Sequence, residues 1–359
     1  MEIIKTTNYS QKEILVKANL VLAQGGLVVY PTETCYGLGA DATNQQAIDK
    51  LLTYKRRREG KPLSILVKDQ QQAEEYVLLN DSAKNLYQNF LPGPITVISQ
   101  GKGKVAIGVE SEMQTLGIRI SSHPLAQALI ANYDKPITAT SANASFKKKP
   151  YSIDDLLNNL TQKQKEKLDL IIDAGELPKR KSSTVVDTTL VGSMVLRRGD
   201  LDLGKNQQII ISTSEEDTKK LAQNLMLKNF NKLKKQALVF ALVGDLGTGK
   251  TIFAKGIGQF LKIPDAIVSP SFTLVNEYHY QRYETEGFFY HLDPWRLTNF
   301  AQFQQLAIEE MLVKQNVIVI EWANKFLQDL ENFLKTKSVQ LIKLAFKDLG
   351  DNQREIRIK

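Results

Sequence analysis

The chain has 359 residues, 42% hydrophobic content and one cysteine, Cys35; this fits about two folded domains and excludes disorder, an intrachain disulfide and a cysteine-based zinc cluster. Its formal charge of +8 is spread evenly, with 26 Lys+Arg against 22 Asp+Glu over residues 1–203 and 21 against 17 over 204–359, so no basic tail for nucleic acid accounts for it. No apolar run approaches the roughly eighteen residues of a membrane helix, and Met1–Thr7 does not read as a secretory signal, so a cytoplasmic chain without a membrane partner is expected.

Pattern and punctuation predict alternating helices and strands, an α/β or α+β architecture. Gln11–Gln24 reads as a helix stopped by Gly25-Gly26, and Leu27–Tyr30 as a strand leading into Pro31. Gln45–Tyr54 is helical, Ser64–Val67 a strand, and Asp81–Phe90 a helix ended by Leu91-Pro-Gly-Pro94. Ile95–Ser99, Val105–Val109, Leu116–Ile120, Thr184–Val186 and Met194–Arg197 are strand candidates. The pattern thins near Asp200–Gln208, which places a linker at 204–212 between domains 1–203 and 213–359. Ile209–Ile211 then starts a new strand, and Ser214 caps a helix running to about Lys235.

The most explicit chemistry is Gly244-Asp245-Leu246-Gly247-Thr248-Gly249-Lys250-Thr251, which fits the P-loop pattern G-x-x-x-x-G-K-[ST]. Glycines let backbone N–H groups converge on phosphate oxygens, the lysine reaches the β/γ-phosphates and the hydroxyl holds Mg²⁺. The apolar run Leu238–Val243 before it and the helical spacing of Ile252–Lys262 after it supply the expected strand and helix. Farther on, Asn316–Ile320 is a strand running into Glu321, a position suited to a carboxylate near Mg²⁺ or its water. Asp293 also follows a strand-like run, and its spacing fits a structural role as well as an ionic one; Trp322 fits packing equally well.

The first half offers hydroxyls, an amide and fixed cations at strand ends and turns: Pro31-Thr-Glu-Thr-Cys-Tyr-Gly-Leu38, Lys55-x-Arg57 with Lys61, Gly117-Ile-Arg119, Thr138-Ala-Thr-Ser-Ala-Asn143, Ser182-Ser-Thr-Val-Val-Asp187 and Leu196-Arg-Arg-Gly199. Such a set suits a nucleotide triphosphate bound beside a carboxylate, not triad hydrolysis. Taken singly, Thr32 and Thr34 fit turn caps, His123 before Pro124 a helix start, and Cys35 packing. Lys147–Lys149 reads as solvated surface.

This ordered series resembles the YrdC/TsaC family, the L-threonylcarbamoyladenylate synthases of tRNA t⁶A biosynthesis, over about residues 10–200. The resemblance implies a twisted α/β sheet with a large positively charged cavity. It also implies a reaction joining L-threonine, bicarbonate and ATP to give threonylcarbamoyl-AMP and pyrophosphate. It assigns Lys55, Arg57 and Lys61 to the triphosphate, Ser141, Asn143 and Arg197 to the nucleotide, and Arg119 to the threonine carboxylate. Thr34, Thr140 and Ser183 would line the threonine and carbamate pocket.

The P-loop, together with Ser269–Tyr278, His291–Arg296 and Ile320–Asn324, resembles TsaE, a P-loop ATPase of the same pathway, over about residues 213–345. That resemblance implies a P-loop NTPase α/β domain whose phosphate and Mg²⁺ ligands are Lys250 and Thr251. Glu321 would be the acidic metal or water partner, Asp293 and Trp322 would belong to the nucleotide site, and Thr273 to a switch-like segment. Two departures are conservative: the family's S-P-T-F is Ser269-Pro-Ser-Phe272, and the tyrosine of D-x-Y-R is Trp295. TsaB and TsaD are the implied partners, with tRNA reached indirectly through them. The rival reading is an RNA-binding module with an attached regulatory ATPase, which the even charge and the lack of a stacking-aromatic series disfavour.

Overall fold

The computed structural model describes residues 1–55, 62–144, 147–190, 194–197, 199–200 and 208–358. Contacts divide the chain into two compact units, Met1–Thr189 with Val195–Gly204, and Leu190–Met194 with Lys205–Lys359. Among the described residues no helix is long and apolar enough to cross a membrane.

The first unit contains strands β1 (Glu2–Lys5), β2 (Val28–Tyr30), β3 (Gly37–Gly39), β4 (Ser64–Leu66), β5 (Val77–Leu78), β6 (Ile95–Gly101), β7 (Thr115–Arg119), β8 (Ile137–Thr138), β9 (Thr140–Ser141), β10 (Leu170–Asp173), β11 (Thr184–Asp187) and β12 (Met194–Arg197). One mixed sheet runs β1-β10-β2-β3-β9, and a second runs β12-β11-β6-β7-β4-β8 with β5 on β6. Helix Gln11–Ala23 begins where Ser10 and Glu13 form a reciprocal capping box, and it ends before Gly25, whose φ of +75° favours glycine. Its buried Ile14, Ala18 and Leu22 recur every four residues and pack with Val28, Leu170 and Ile172. Helix Gln45–Lys55 buries Ala47, Ile48, Leu51 and Tyr54, and its last residue is Lys55. That lysine is therefore carried by a helix end, not by the loop that follows.

Val105–Val109 is not a strand. Leu63 donates to Val109 O, Ala106 to Ala42 O and Val109 to Ala106 O, so the segment spends its hydrogen bonds singly on neighbouring loops. Gly37–Leu38, expected in a loop, instead opens β3 against β2. The second unit's first helix, Glu215–Asn229, gives way to a 3₁₀ turn at Phe230–Lys234 before reaching Lys235.

The second unit is one sheet in the order β13-β19-β18-β14-β17-β16-β15. Its strands are β13 (Gln208–Ser212), β14 (Ala237–Val243), β15 (Val275–Arg282), β16 (Thr285–Leu292), β17 (Val317–Ile320), β18 (Val339–Gly350) and β19 (Gln353–Ile358). The central β18, β14, β17 and β16 are parallel, while β13, β19 and β15 pair antiparallel at the flanks. β14 is apolar throughout because both faces are covered. Ala237, Val239 and Ala241 pack toward Phe303 and Leu330, and Phe240 meets Phe253 of helix Lys250–Leu261 at 5.7 Å between ring centroids.

The two helices beside β14 approach closely at Gly256, where a Cβ would stand 2.7 Å from both Cα and O of Lys219. Gly256→Ala would gain up to about 1 kcal/mol of helix propensity. Backbone atoms cannot swing away, so overpacking of roughly 1–3 kcal/mol outweighs that gain. The expected result is a lower urea midpoint for the second unit; a raised midpoint would mean that propensity dominates.

Candidate functional sites

In the first unit, β2 delivers the chain to Pro31 and the buried turn Thr32–Cys35. Thr32 Oγ1 accepts from the N–H groups of Thr34 and Cys35 and donates to Cys35 O at 2.6 Å, so Thr32 is a turn cap. Thr34 is buried with its hydroxyl 3.1 Å from that of Thr32. The turn aims Glu33 inward, where one carboxylate oxygen takes the Arg119 guanidinium at the end of β7 and the other takes the Ser121 hydroxyl. Both members of the ion pair are about nine-tenths buried. Arg119 is thus neutralised by a partner that the sequence reading overlooked. Among the described residues its buried Nε has no hydrogen-bond partner, which leaves that donor for a ligand.

Cys35 locates the other cations. Burial pushes its thiol up, while Arg119, Lys149, a hydrogen bond from the Thr34 hydroxyl and Lys55 pull it down. Lys149, expected on the solvated surface, is half-buried and belongs to this group, whereas Lys147 and Lys148 are exposed. Lys55 is buried and donates to the main-chain oxygens of Ser141 at 2.5 Å and Asn143 at 2.6 Å. Ser141 Oγ in turn donates to Asn143 Oδ1 at 2.5 Å. Thr140 is half-buried on β9, paired with Leu38 of β3.

At the other edge, Arg197 of β12 donates to Ser183 O at 2.9 Å and to Ser183 Oγ at 2.8 Å, and that hydroxyl lies 3.0 Å from Thr96 Oγ1. Arg197 is exposed as a whole residue, yet desolvation of its head, followed by the charge of Arg119, lowers its pKa. Lys55, Arg119 and Lys149 thus lie within charge range of this thiol, and the thiol within that of Arg197. Arg57 and Lys61 lie outside the described residues. His123 caps the helix Pro124–Tyr133 through Nδ1, as expected, and burial lowers its pKa.

In the second unit, the P-loop, Asp293 and Glu321 emerge from the carboxyl ends of adjacent parallel strands β14, β16 and β17, where such sheets bind ligands. Gly247 and Gly249 hold φ values of +79° and +95°, which glycine alone adopts readily. Asp245 and Leu246 are exposed on the loop, while Thr248 is buried and donates to Asp245 O at 2.8 Å. Lys250 donates to Gly244 O at 2.9 Å and Asp245 O at 2.6 Å, with its ammonium 4.0 Å from the ring centroid of Trp322. Burial lowers the Lys250 pKa against the opposing pull of Glu321, Asp293 and Asp245. Trp322, at φ +54°, serves as a platform for that charge rather than as buried packing.

Thr251 Oγ1 donates to Glu321 Oε1 at 2.9 Å, setting a hydroxyl beside a carboxylate. Asp293 accepts from Ser269 at 2.7 Å and Ser271 at 3.1 Å through Oδ2, while its buried Oδ1 has no hydrogen-bond partner among the described residues. Among the described residues no cluster of three His, Cys, Asp or Glu side chains could hold a metal unaided. The hard oxygens of Thr251 and Glu321, with the open Asp293 Oδ1 nearby in charge terms, fit a cation that takes its remaining ligands from phosphate and water. His291, Ser269 and Ser271 lie in blocks that carry the sequence resemblance, but no individual role was read for them. Their signal was present: a histidine two residues before Asp293 and hydroxyls in the segment opposite.

The Glu33–Arg119 pair yields a test. Glu33→Ala should cost the first unit roughly 3–5 kcal/mol in urea unfolding, because it leaves a buried guanidinium uncompensated. Adding Arg119→Met should return most of that loss. A single-variant cost below about 1 kcal/mol would mean that the pair does not hold the guanidinium.

The family described as "Telomere recombination" (Sua5/YciO/YrdC) matches residues 20–199, and that described as "Threonylcarbamoyl adenosine biosynthesis protein TsaE" matches residues 212–356. A putative threonylcarbamoyl-AMP synthase of Methanocaldococcus jannaschii is 32% identical over 57% of this chain and 95% of its own length. A threonylcarbamoyl-AMP synthase of Vibrio vulnificus is 42% identical over 38% of this chain and 73% of its own. The crystal structure of Pyrococcus abyssi Sua5 complexed with L-threonine, 20% identical, superposes with a TM-score of 0.52 over 95% of this chain and 99% of that one, a likeness of fold. The chain belongs to the Sua5/YciO/YrdC family, joined in one polypeptide to a TsaE domain.

Proposed function

We propose that the first unit condenses L-threonine, bicarbonate and ATP into L-threonylcarbamoyl-AMP and pyrophosphate. The second unit, on this reading, binds and hydrolyses ATP to support transfer of the threonylcarbamoyl group to A37 of tRNA. The observation that carries the first assignment is a set of cations held in place: Lys55 on the main-chain oxygens of Ser141 and Asn143, Arg119 on Glu33, and Arg197 on Ser183. Threonine's amine attacks the bicarbonate carbon and water leaves as the carbamate forms; a carbamate oxygen then attacks the α-phosphorus as the P–O bond to the departing pyrophosphate breaks. Negative charge grows on the phosphorus oxygens and the leaving group, where fixed cations stabilise it most. Lys55 is assigned to the triphosphate, as are Arg57 and Lys61 by the family resemblance; Ser141, Asn143 and Arg197 are assigned to the nucleotide. The free Nε of Arg119 receives the threonine carboxylate, and Thr34, Thr140 and Ser183 line that pocket.

In the second unit Lys250 and the P-loop amides take the phosphates, and Trp322 and Asp293 complete the nucleotide site. Mg²⁺, held by Thr251 and Glu321, would neutralise phosphate charge when bound. The junction falls within 204–212, TsaB and TsaD are the partners for transfer, tRNA is met through them, and the cytoplasm is the compartment. Burial of the cations weighs against the RNA-binding alternative, which needs an accessible basic surface with stacking aromatics.

Pyrophosphate release from ATP should require threonine and bicarbonate together, with threonylcarbamoyl-AMP detected by mass. Lys55→Ala should slow it about 100-fold or more, while Lys250→Ala should abolish phosphate release and spare pyrophosphate release. Loss of the adenylate in the Lys250 variant would refute the assignment of the two reactions to separate sites.

A further inference from the structure

His291 is completely buried at the penultimate position of β16, and the proposed reaction gives it no part. One face of its ring stacks on Phe289 at 6.3 Å and 14°. Its Nε2 lies 2.8 Å from Glu321 Oε1, the same oxygen that accepts from Thr251. Its Nδ1 lies 3.1 Å from Val268 O. Both partners are acceptors, and the ring sits within hydrogen-bond distance of each.

Val268 precedes the segment Ser269–Thr273, which makes several polar contacts with β15 and with Asp293 just past β16. Asn276 Nδ2 donates to the Val268 carbonyl at 3.3 Å, Thr273 donates to Asn276 Oδ1 at 3.0 Å, and Ser269 and Ser271 hold Asp293. Pro270 is buried, while Val268, Phe272 and Thr273 are exposed. The imidazole reaches both the carbonyl that leads into this segment and the carboxylate facing the P-loop hydroxyl.

We propose that His291 is a positioning residue of the second site, fixing the Glu321 carboxylate and coupling its placement to the Ser269–Thr273 segment. The inference rests on the ATPase reading of that unit. Groups that orient a metal- or water-facing carboxylate act on turnover more than on ligand affinity, because the phosphates are held by the P-loop itself.

The test uses the full-length protein and His291→Gln, which keeps a polar group but cannot span both acceptors. The turnover number for Mg²⁺-dependent ATP hydrolysis should fall about 10- to 100-fold, with KM and ADP affinity within about threefold of wild type. Amide hydrogen exchange should accelerate within residues 268–273 while β14 and β17 stay protected. Unchanged turnover or unchanged exchange in that segment would overturn the proposal. Loss of protection across β14, β16 and β17 would also overturn it, making His291 a core residue only. If wild-type protein shows no ATP turnover sensitive to Lys250→Ala, the ATPase reading fails by itself, and the exchange result decides whether the tie exists.

Discussion

Each unit has to keep an ammonium buried and charged where a polyanion is to bind, and each does so with main-chain carbonyls. Lys55 rests on Ser141 O and Asn143 O, Lys250 on Gly244 O and Asp245 O, and both are only 4% exposed. An uncompensated buried charge costs several kcal/mol, whereas a hydrogen bond to a charged group returns about 1.5–3 kcal/mol. Such carbonyl acceptors offset part of that cost for each lysine.

The surroundings of the two lysines differ in kind, which suits two different reactions. In the first unit the ends of β7, β12 and helix Gln45–Lys55 carry cations, and the arginine nearest the Thr32–Cys35 turn is balanced by Glu33. That pair lowers the cost of burying positive charge without cancelling the remaining cations. In the second unit one loop supplies the phosphate-facing groups, Trp322 shares the charge of Lys250, and carboxylates stand at the ends of the neighbouring strands. The first arrangement draws its cations from several elements; the second concentrates charge at one loop with acidic groups opposite.

Much of this could be read from the sequence where local rules act alone. Helix Asp81–Phe90 was placed residue for residue, because Asn80 caps it and Leu91-Pro92 ends it. The P-loop was legible because its strand, glycines, lysine and hydroxyl are contiguous. Val105–Val109 misled because an apolar run says nothing of whether a neighbouring strand is available to pair with it. Glu33 was missed because its partner lies 86 positions away, and a carboxylate at a turn reads as solvent-facing until the fold buries it. Lys149 hid inside a basic run whose first two members are solvated. His291 lies 30 positions from Glu321, and only the parallel pairing of β16 with β17 brings the two together.

Calorimetric titration with a non-hydrolysable ATP analogue tests most directly whether the chain holds two separate nucleotide sites. Two molecules should bind per wild-type chain and one per Lys250→Ala chain, with the remaining site responding to L-threonine. A single site in the wild-type chain, or the loss of all binding in the variant, would contradict it.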